Sequence, residues 1–81
     1  MEVLYFAWVR ERIGVPRETI ETDAVTVTDL VRELCAREER YEAAFSDLTA
    51  VRVAVDQVLT GFDAPLSGAR EVAFFPPMTG G

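Results

Sequence analysis

Apolar positions alternate in some stretches of this 81-residue chain and recur at helical spacing in another. Val3-Leu4-Tyr5-Phe6-Ala7-Trp8-Val9 is β-branched and aromatic with apolar residues at both parities, which predicts a strand covered on both faces. Arg10-Glu11-Arg12-Ile13-Gly14 is a polar break closing on glycine, with room for a single helical turn, and Pro16 ends the first strand. Thr19-Ile20-Glu21-Thr22 alternates as a half-exposed second strand. Thr26 then reads as a helix N-cap, with Asp29 completing a capping box and Val25 and Leu30 placed as a hydrophobic staple. Val27, Leu30, Val31, Leu34 and Cys35 form one stripe of that helix, opposite Arg32, Glu33, Arg37 and Glu38. The run Glu38-Glu39-Arg40-Tyr41-Glu42 reads as its solvated end. Val51-Arg52-Val53-Ala54-Val55 alternates again, Asp56-Gln57 makes a turn, and Val58-Leu59 is a short return strand. After a loop over Ala64-Pro65-Leu66-Ser67-Gly68, Glu71-Val72-Ala73-Phe74-Phe75 is the last strand, stopped by Pro76 and Pro77, which have no N–H for a ladder.

The order β, β, α, β, short β, β predicts an α+β domain, a mixed sheet covered on one face by one main helix. The β-grasp, ubiquitin-like roll meets this requirement, with the first and last strands adjacent and parallel in its centre. Residues 1–75 make the domain and residues 76–81 an extended tail. Strand alternation sends Val3, Tyr5, Val72 and Phe74 toward the helix and leaves Leu4, Phe6, Ala73 and Phe75 on the other face. That second face is the expected partner surface, with Phe75, Phe6 and Leu59 as apolar anchors and Arg10 at the rim.

Composition narrows the chemistry. A net charge of −6 and a pI near 4.5 argue against binding a nucleic-acid backbone or an anionic membrane surface. All eight basic residues are arginine, so no side-chain amine is available for a Schiff base or an isopeptide bond. The absence of histidine removes the commonest general base and metal ligand, and no metal site is expected. Cys35, the single cysteine, allows no internal disulfide and sits in the helix stripe as a small buried hydrophobe. No apolar run approaches the ~20 residues of a membrane span, and the expected location is the cytoplasm.

The remaining chemistry lies in Met78-Thr79-Gly80-Gly81. Gly80 and Gly81 lack Cβ atoms, so the last peptide units and the α-carboxylate can thread a channel too narrow for any side chain. A carboxylate is a poor electrophile until ATP-dependent activation by another enzyme converts it to an acyl-adenylate. The activated group could then accept sulfur, giving a thiocarboxylate with a soft nucleophilic sulfur, or pass to an amine, giving a conjugate.

Val3-Leu4-Tyr5-Phe6-Ala7, Arg10-Glu11, Gly14, Val55-Asp56-Gln57, Leu59, Phe62-Asp63, Pro65-Leu66 and Glu71 through Gly81 together resemble the small subunit of molybdopterin synthase. The stretch Glu-Val-Ala-Phe-Phe-Pro-Pro before Thr-Gly-Gly is the most specific part. A bare Gly-Gly end is shared with the thiamin and cysteine-biosynthesis sulfur carriers and with ubiquitin-like modifiers. The family usually has Asn at the place of Asp56, and Asp-Gly-Asp where this chain has Gly68-Ala69-Arg70. The resemblance implies a cytoplasmic sulfur carrier whose Gly81 is adenylated by an E1-like enzyme and thiocarboxylated. Its tail would enter a large subunit, in a heterotetramer, and sulfurate cyclic pyranopterin monophosphate. Gly80 would then supply clearance, and Pro76, Pro77, Met78 and Thr79 would line the partner's channel. No cofactor is bound in such a chain; ATP is used by the activating enzyme. A modifier conjugated to other proteins, or a passive interaction domain, are the other classes that the residues allow.

Overall fold

A computed structural model describes residues 1–77. The chain begins with β1 (Glu2–Tyr5), α1 (Ala7–Ile13) and β2 (Arg17–Thr19), followed by α2 (Val27–Arg37) and α3 (Glu39–Phe45). A 3-10 turn (Leu48–Ala50) leads into the hairpin β3 (Arg52–Val55) and β4 (Val58–Thr60), and β5 (Glu71–Phe75) closes the order. The five strands form one mixed sheet in the order β2-β1-β5-β3-β4. β1 and β5 run parallel at its centre, Val3 beside Val72 and Tyr5 beside Phe74, as the strand order predicts for a β-grasp roll. The helices lie on one side. Val3, Tyr5, Val72 and Phe74 face them and are buried, with the Phe45 ring edge-on to Phe74 at 4.9 Å.

Four local expectations are corrected. The first strand stops at Tyr5 instead of running to Val9, because Val9 and Ile13, four residues apart, bury on one side of α1. Tertiary packing outweighs the strand propensity of an aromatic run. The corner is tight: the Phe6 carbonyl accepts from the N–H groups of Val9 and Arg10, and Ala7 sits at φ 52, in the region disfavoured for side chains with a Cβ. Gly14, at φ 97, caps the helix by donating its N–H to the Arg10 carbonyl at 2.7 Å. Second, β2 covers Arg17–Thr19, paired antiparallel to β1, and buried Ile20 lies past its end.

Third, the capping box of Thr26 and Asp29 has both of its hydrogen bonds, 3.3 and 3.2 Å, but the staple does not form. Leu30 is buried while Val25 is 69% exposed, its carbonyl taken up by the Leu66 N–H. Fourth, Glu38-Glu42 is no solvated end of a single main helix. Glu38 turns extended, at φ −152 and ψ 150, and restarts the chain as α3, whose Tyr41, Ala44 and Phe45 enter the core.

Tyr41 explains why α3 is held. Its hydroxyl and that of Tyr5 both donate to Glu18 Oε2, at 2.6 and 2.7 Å, joining α3, β1 and β2. Arg40 donates from Nη1 to the Ile13 carbonyl at 2.9 Å and ties in the end of α1. At the opposite end of the sheet, Asp56 and Gln57 have φ 48 and 70, the left-handed pair that a two-residue hairpin requires. Asp56 Oδ1 also accepts from the N–H groups of Arg70 and Glu71, at 2.9 and 3.0 Å. Asp56 thus clamps the start of β5.

Burial, and then the hydrogen bond to Glu18, pushes the Tyr41 phenol up to about 12, and the same causes raise Tyr5 further. A group whose pKa is raised by folding stabilises fully below its unfolded value, about 10 for tyrosine, and loses that contribution as pH climbs through the folded value. The urea midpoint should therefore hold to about pH 9.5 and fall steeply between roughly pH 10 and 12. The measurement belongs in a Cys35→Ala background, because burial and the charge of Glu42 raise that thiol's pKa too. Tyr41→Phe should remove part of the slope, and a midpoint unchanged across that window would contradict the latch.

Candidate functional site: the open sheet face

The face away from the helices is built in rows across the strands. The middle row runs Leu4, Ala73, Ala54, Leu59, each the register partner of the next. Leu59 is 68% exposed at the edge, Leu4 and Ala54 are half-buried, and Ala73 is buried between its neighbours. The next row, where β5 ends, holds Phe75 with Arg52 as its register partner. Phe6 joins it from β1's side, because its N–H donates to the Phe74 carbonyl at 3.1 Å, and its ring is 47% exposed. Arg10 is placed one helical turn later and is exposed. The expected anchors Phe6, Phe75 and Leu59 thus lie on one apolar face, with Arg10 beside Phe6. Pro76 and Pro77 continue from Phe75 and are half-buried. Met78, Thr79, Gly80 and Gly81 fall outside the described residues.

Leu4 lies on this face as alternation predicts, Ala54 extends it, and Arg52 escaped sequence reasoning altogether. Alternation alone puts Arg52 on this side, but only the register places it against Phe75. Its Nη1 donates to the carbonyls of Thr49 and Val51, at 3.1 and 3.2 Å, which fixes the guanidinium beside the turn that leads into β3. The far row is acidic: Glu2 pairs with Glu71 in register, and Asp56 bonds the Glu71 backbone. Arg17 Nε holds the Glu2 carboxylate at 2.7 Å and, with Thr19, lowers its pKa.

Nothing on the face resembles a catalytic centre. Among the described residues no group of three or more His, Cys, Asp or Glu is placed to hold a metal. The thiol of Cys35 sits on α2, across the sheet from this face, half-buried and with its pKa raised. Two depressions on the described surface, of about 420 and 290 Å³, are lined by Glu39, Glu42, Ala43 and Ser46 and by Asp56, Gln57, Arg70 and Glu71. Neither reaches Phe75. The arrangement is an apolar sheet face with the end of β5 at its margin.

The sequence profile of the ThiS family matches residues 3–81. The chain belongs to the ThiS family. A relative from Escherichia coli K12, named molybdopterin synthase sulfur carrier subunit, is 42% identical over 81 residues, all of this chain and 99% of its own. Relatives of the same name from Haemophilus influenzae and Mycobacterium tuberculosis are 37% and 35% identical, again over the whole chain, and cover 99% and 96% of their own lengths. Among solved structures, SAMP1 from Haloferax volcanii superposes with a TM-score of 0.77 over 100% of this chain and 98% of its own, at 24% identity, a likeness of fold. The putative molybdopterin converting factor subunit 1 from Pyrococcus furiosus gives 0.70 at 28% identity over 95% of each chain. No helix among the described residues is long and apolar enough to cross a membrane.

The two faces of β5 should separate cleanly on substitution. Phe74→Ala, which empties a fully buried site against Tyr5 and Phe45, should cost about 3–5 kcal/mol of stability. Phe75→Ala should cost no more than about 1 kcal/mol, as alternation puts its half-buried ring on the open side, away from the core. Chemical denaturation of both variants checks this, and an equal loss for the two would contradict the face assignment.

Proposed function

We propose that this chain is the sulfur carrier subunit of a molybdopterin synthase. The observation that carries the proposal is similarity along the entire chain to relatives of that name. It is supported by an apolar sheet face whose central strand leads directly into the Gly-Gly sequence. The face docks on the large subunit through Phe75, Phe6 and Leu59, with Arg10 at the rim, and Pro76 to Thr79 lie along the channel.

The chemistry belongs to Gly81. Its carboxylate attacks the α-phosphorus of ATP on an E1-like enzyme, releasing pyrophosphate, and a sulfur donor then displaces AMP to leave a thiocarboxylate. In the large subunit that sulfur is transferred to cyclic pyranopterin monophosphate, and an oxygen from water restores the carboxylate. A dithiolene needs two sulfurs, so spent and loaded carriers exchange on a heterotetramer. The chain binds no cofactor and catalyses nothing alone, in keeping with its lack of histidine and lysine. A protein of this chemistry works in the cytoplasm.

The position of the reactive carbon then matters as much as its identity. One residue added after Gly81 displaces it by about 3.3–3.6 Å, whereas productive geometry tolerates displacements of only about 1 Å. In a reconstituted reaction with purified large subunit, a thiocarboxylated chain extended by alanine should bind normally and fail to convert the cyclic precursor. Gly80→Val keeps the carbon in place but puts a β-branched side chain in the channel, so binding and turnover should fall together. Phe75→Ala should weaken binding by tens-fold, the usual cost of truncating an aromatic anchor. Near-normal conversion by the extended chain would sink the carrier reading.

A further inference from the structure

The open face is divided by charge. Its middle row runs Arg17-Leu4-Ala73-Ala54-Leu59; Arg17, at the β2 edge, is held by Glu2, and from Leu4 to Leu59 the row is apolar and flattest at the two alanines. The row on the tail side holds Phe6 and Phe75 with Arg52, and Arg10 flanks it. The row on the other side holds Glu2, Glu71 and Asp56. Arg17 already neutralises Glu2, but the ion pairs of the described residues involve neither Arg10, Arg52, Glu71 nor Asp56. Arg70 precedes β5 and forms no ion pair with Glu71 among the described residues.

Such a face complements itself. A two-fold axis laid along the middle row reverses the strands of a second copy, sets its alanines over Ala73 and Ala54, and brings each tail-side row against the other's acidic row. Arg52 then lies opposite Asp56 of the second copy, with Glu71 one strand away on the diagonal, and the same contacts recur on the other side of the axis, as an isologous interface demands. The small side chains at the centre permit the approach of about 10 Å at which sheets pack, while Leu4, Leu59, Phe6 and Phe75 lose solvent around them.

We propose that the free chain forms a weak homodimer through this face, with Arg52 against Asp56 and, on the diagonal, Glu71 of the second copy as its orienting contacts. The pairing itself needs no carrier activity. That it competes with the large subunit for Phe75 rests on the function proposed above, and would keep the apolar face covered until that subunit displaces one copy.

Sedimentation equilibrium of the full chain, from about 10 µM to about 1 mM, should show a monomer–dimer equilibrium that weakens between about 0.05 and 0.5 M salt as the charge contacts are screened. Arg52→Glu and Glu71→Arg should each weaken it by roughly tenfold or more, since every substitution counts twice across the axis. Mixed together, the two variants should recover the dimer. The carboxylate introduced at position 52 of one copy then lies diagonal to the guanidinium introduced at position 71 of the other, and the unaltered Glu71 of the first lies diagonal to the unaltered Arg52 of the second. That recovery also shows that both variants are folded. A chain monomeric across the range, or an equilibrium indifferent to both reversals, would overturn the homodimer. Added large subunit should dissolve it into mixed complexes; a species retaining the homodimer beside the large subunit would overturn the competition but leave the carrier chemistry, read by precursor conversion, untouched.

Discussion

The parallel pairing of β1 with β5 is the constraint that organises the molecule. It brings the two ends of the sequence side by side in the middle of the sheet, Glu2 against Glu71 and Tyr5 against Phe74. A parallel pair cannot be joined by a tight turn, so everything between residues 6 and 70 serves as its crossover, and it brings three helices to one side of the sheet. Register is then fixed by burial: sliding β5 by one residue would put Phe75 into the core and Phe74 into solvent. The strand that leads to the Gly-Gly sequence is thus among the most tightly specified in the molecule, hydrogen-bonded on both edges by β1 and β3.

One consequence is a division of labour within five residues. Val72 and Phe74 stabilise the fold, while Glu71, Ala73 and Phe75 are presented to whatever covers the other face. A domain of this size buries only about 60% of its unfolded surface, so an apolar face left over from folding is tolerated without a second layer of helices. The tyrosine pair on Glu18 completes the helical side. Two hydroxyls on one carboxylate oxygen satisfy polar atoms that would otherwise be stranded near the core, and Arg40 keeps cationic charge beside them.

Much of this was legible in the sequence wherever the determinants are local. The capping box at Thr26, the stripe of α2, the turn at Asp56-Gln57 and the proline stop after Phe75 each rest on residues a few positions apart, and the structure has them. Alternation was enough to sort Val3, Tyr5, Val72 and Phe74 from Leu4, Phe6 and Phe75. What escaped depends on distant partners. The helical period of Val9 and Ile13 is masked by an aromatic run that favours a strand, and it wins because the core supplies neighbours for both. Tyr41 read as part of a charged helix end until Glu18, in a different strand, gave its hydroxyl a partner. Arg52 joined the candidate surface only through its register with Phe75.

A face that serves both a second copy and a larger partner, as proposed, would have to rank them, and its geometry says how. The apolar rows are available to either occupant, so burying Leu4, Phe6, Leu59 and Phe75 cannot by itself distinguish the two. A second copy offers nothing beyond that face and its symmetric charges, which at the surface contribute little individually. A large subunit that also engages the segment after Phe75 adds contacts unavailable to the homodimer, and the segment starts from a strand already fixed by two neighbours, so less ordering has to be supplied on binding. On that proposal the homodimer would be the weaker state for a physical reason rooted in topology. It would shield the face without trapping the chain, because the feature proposed to make the productive complex stronger lies at the margin of the shared surface and not within it.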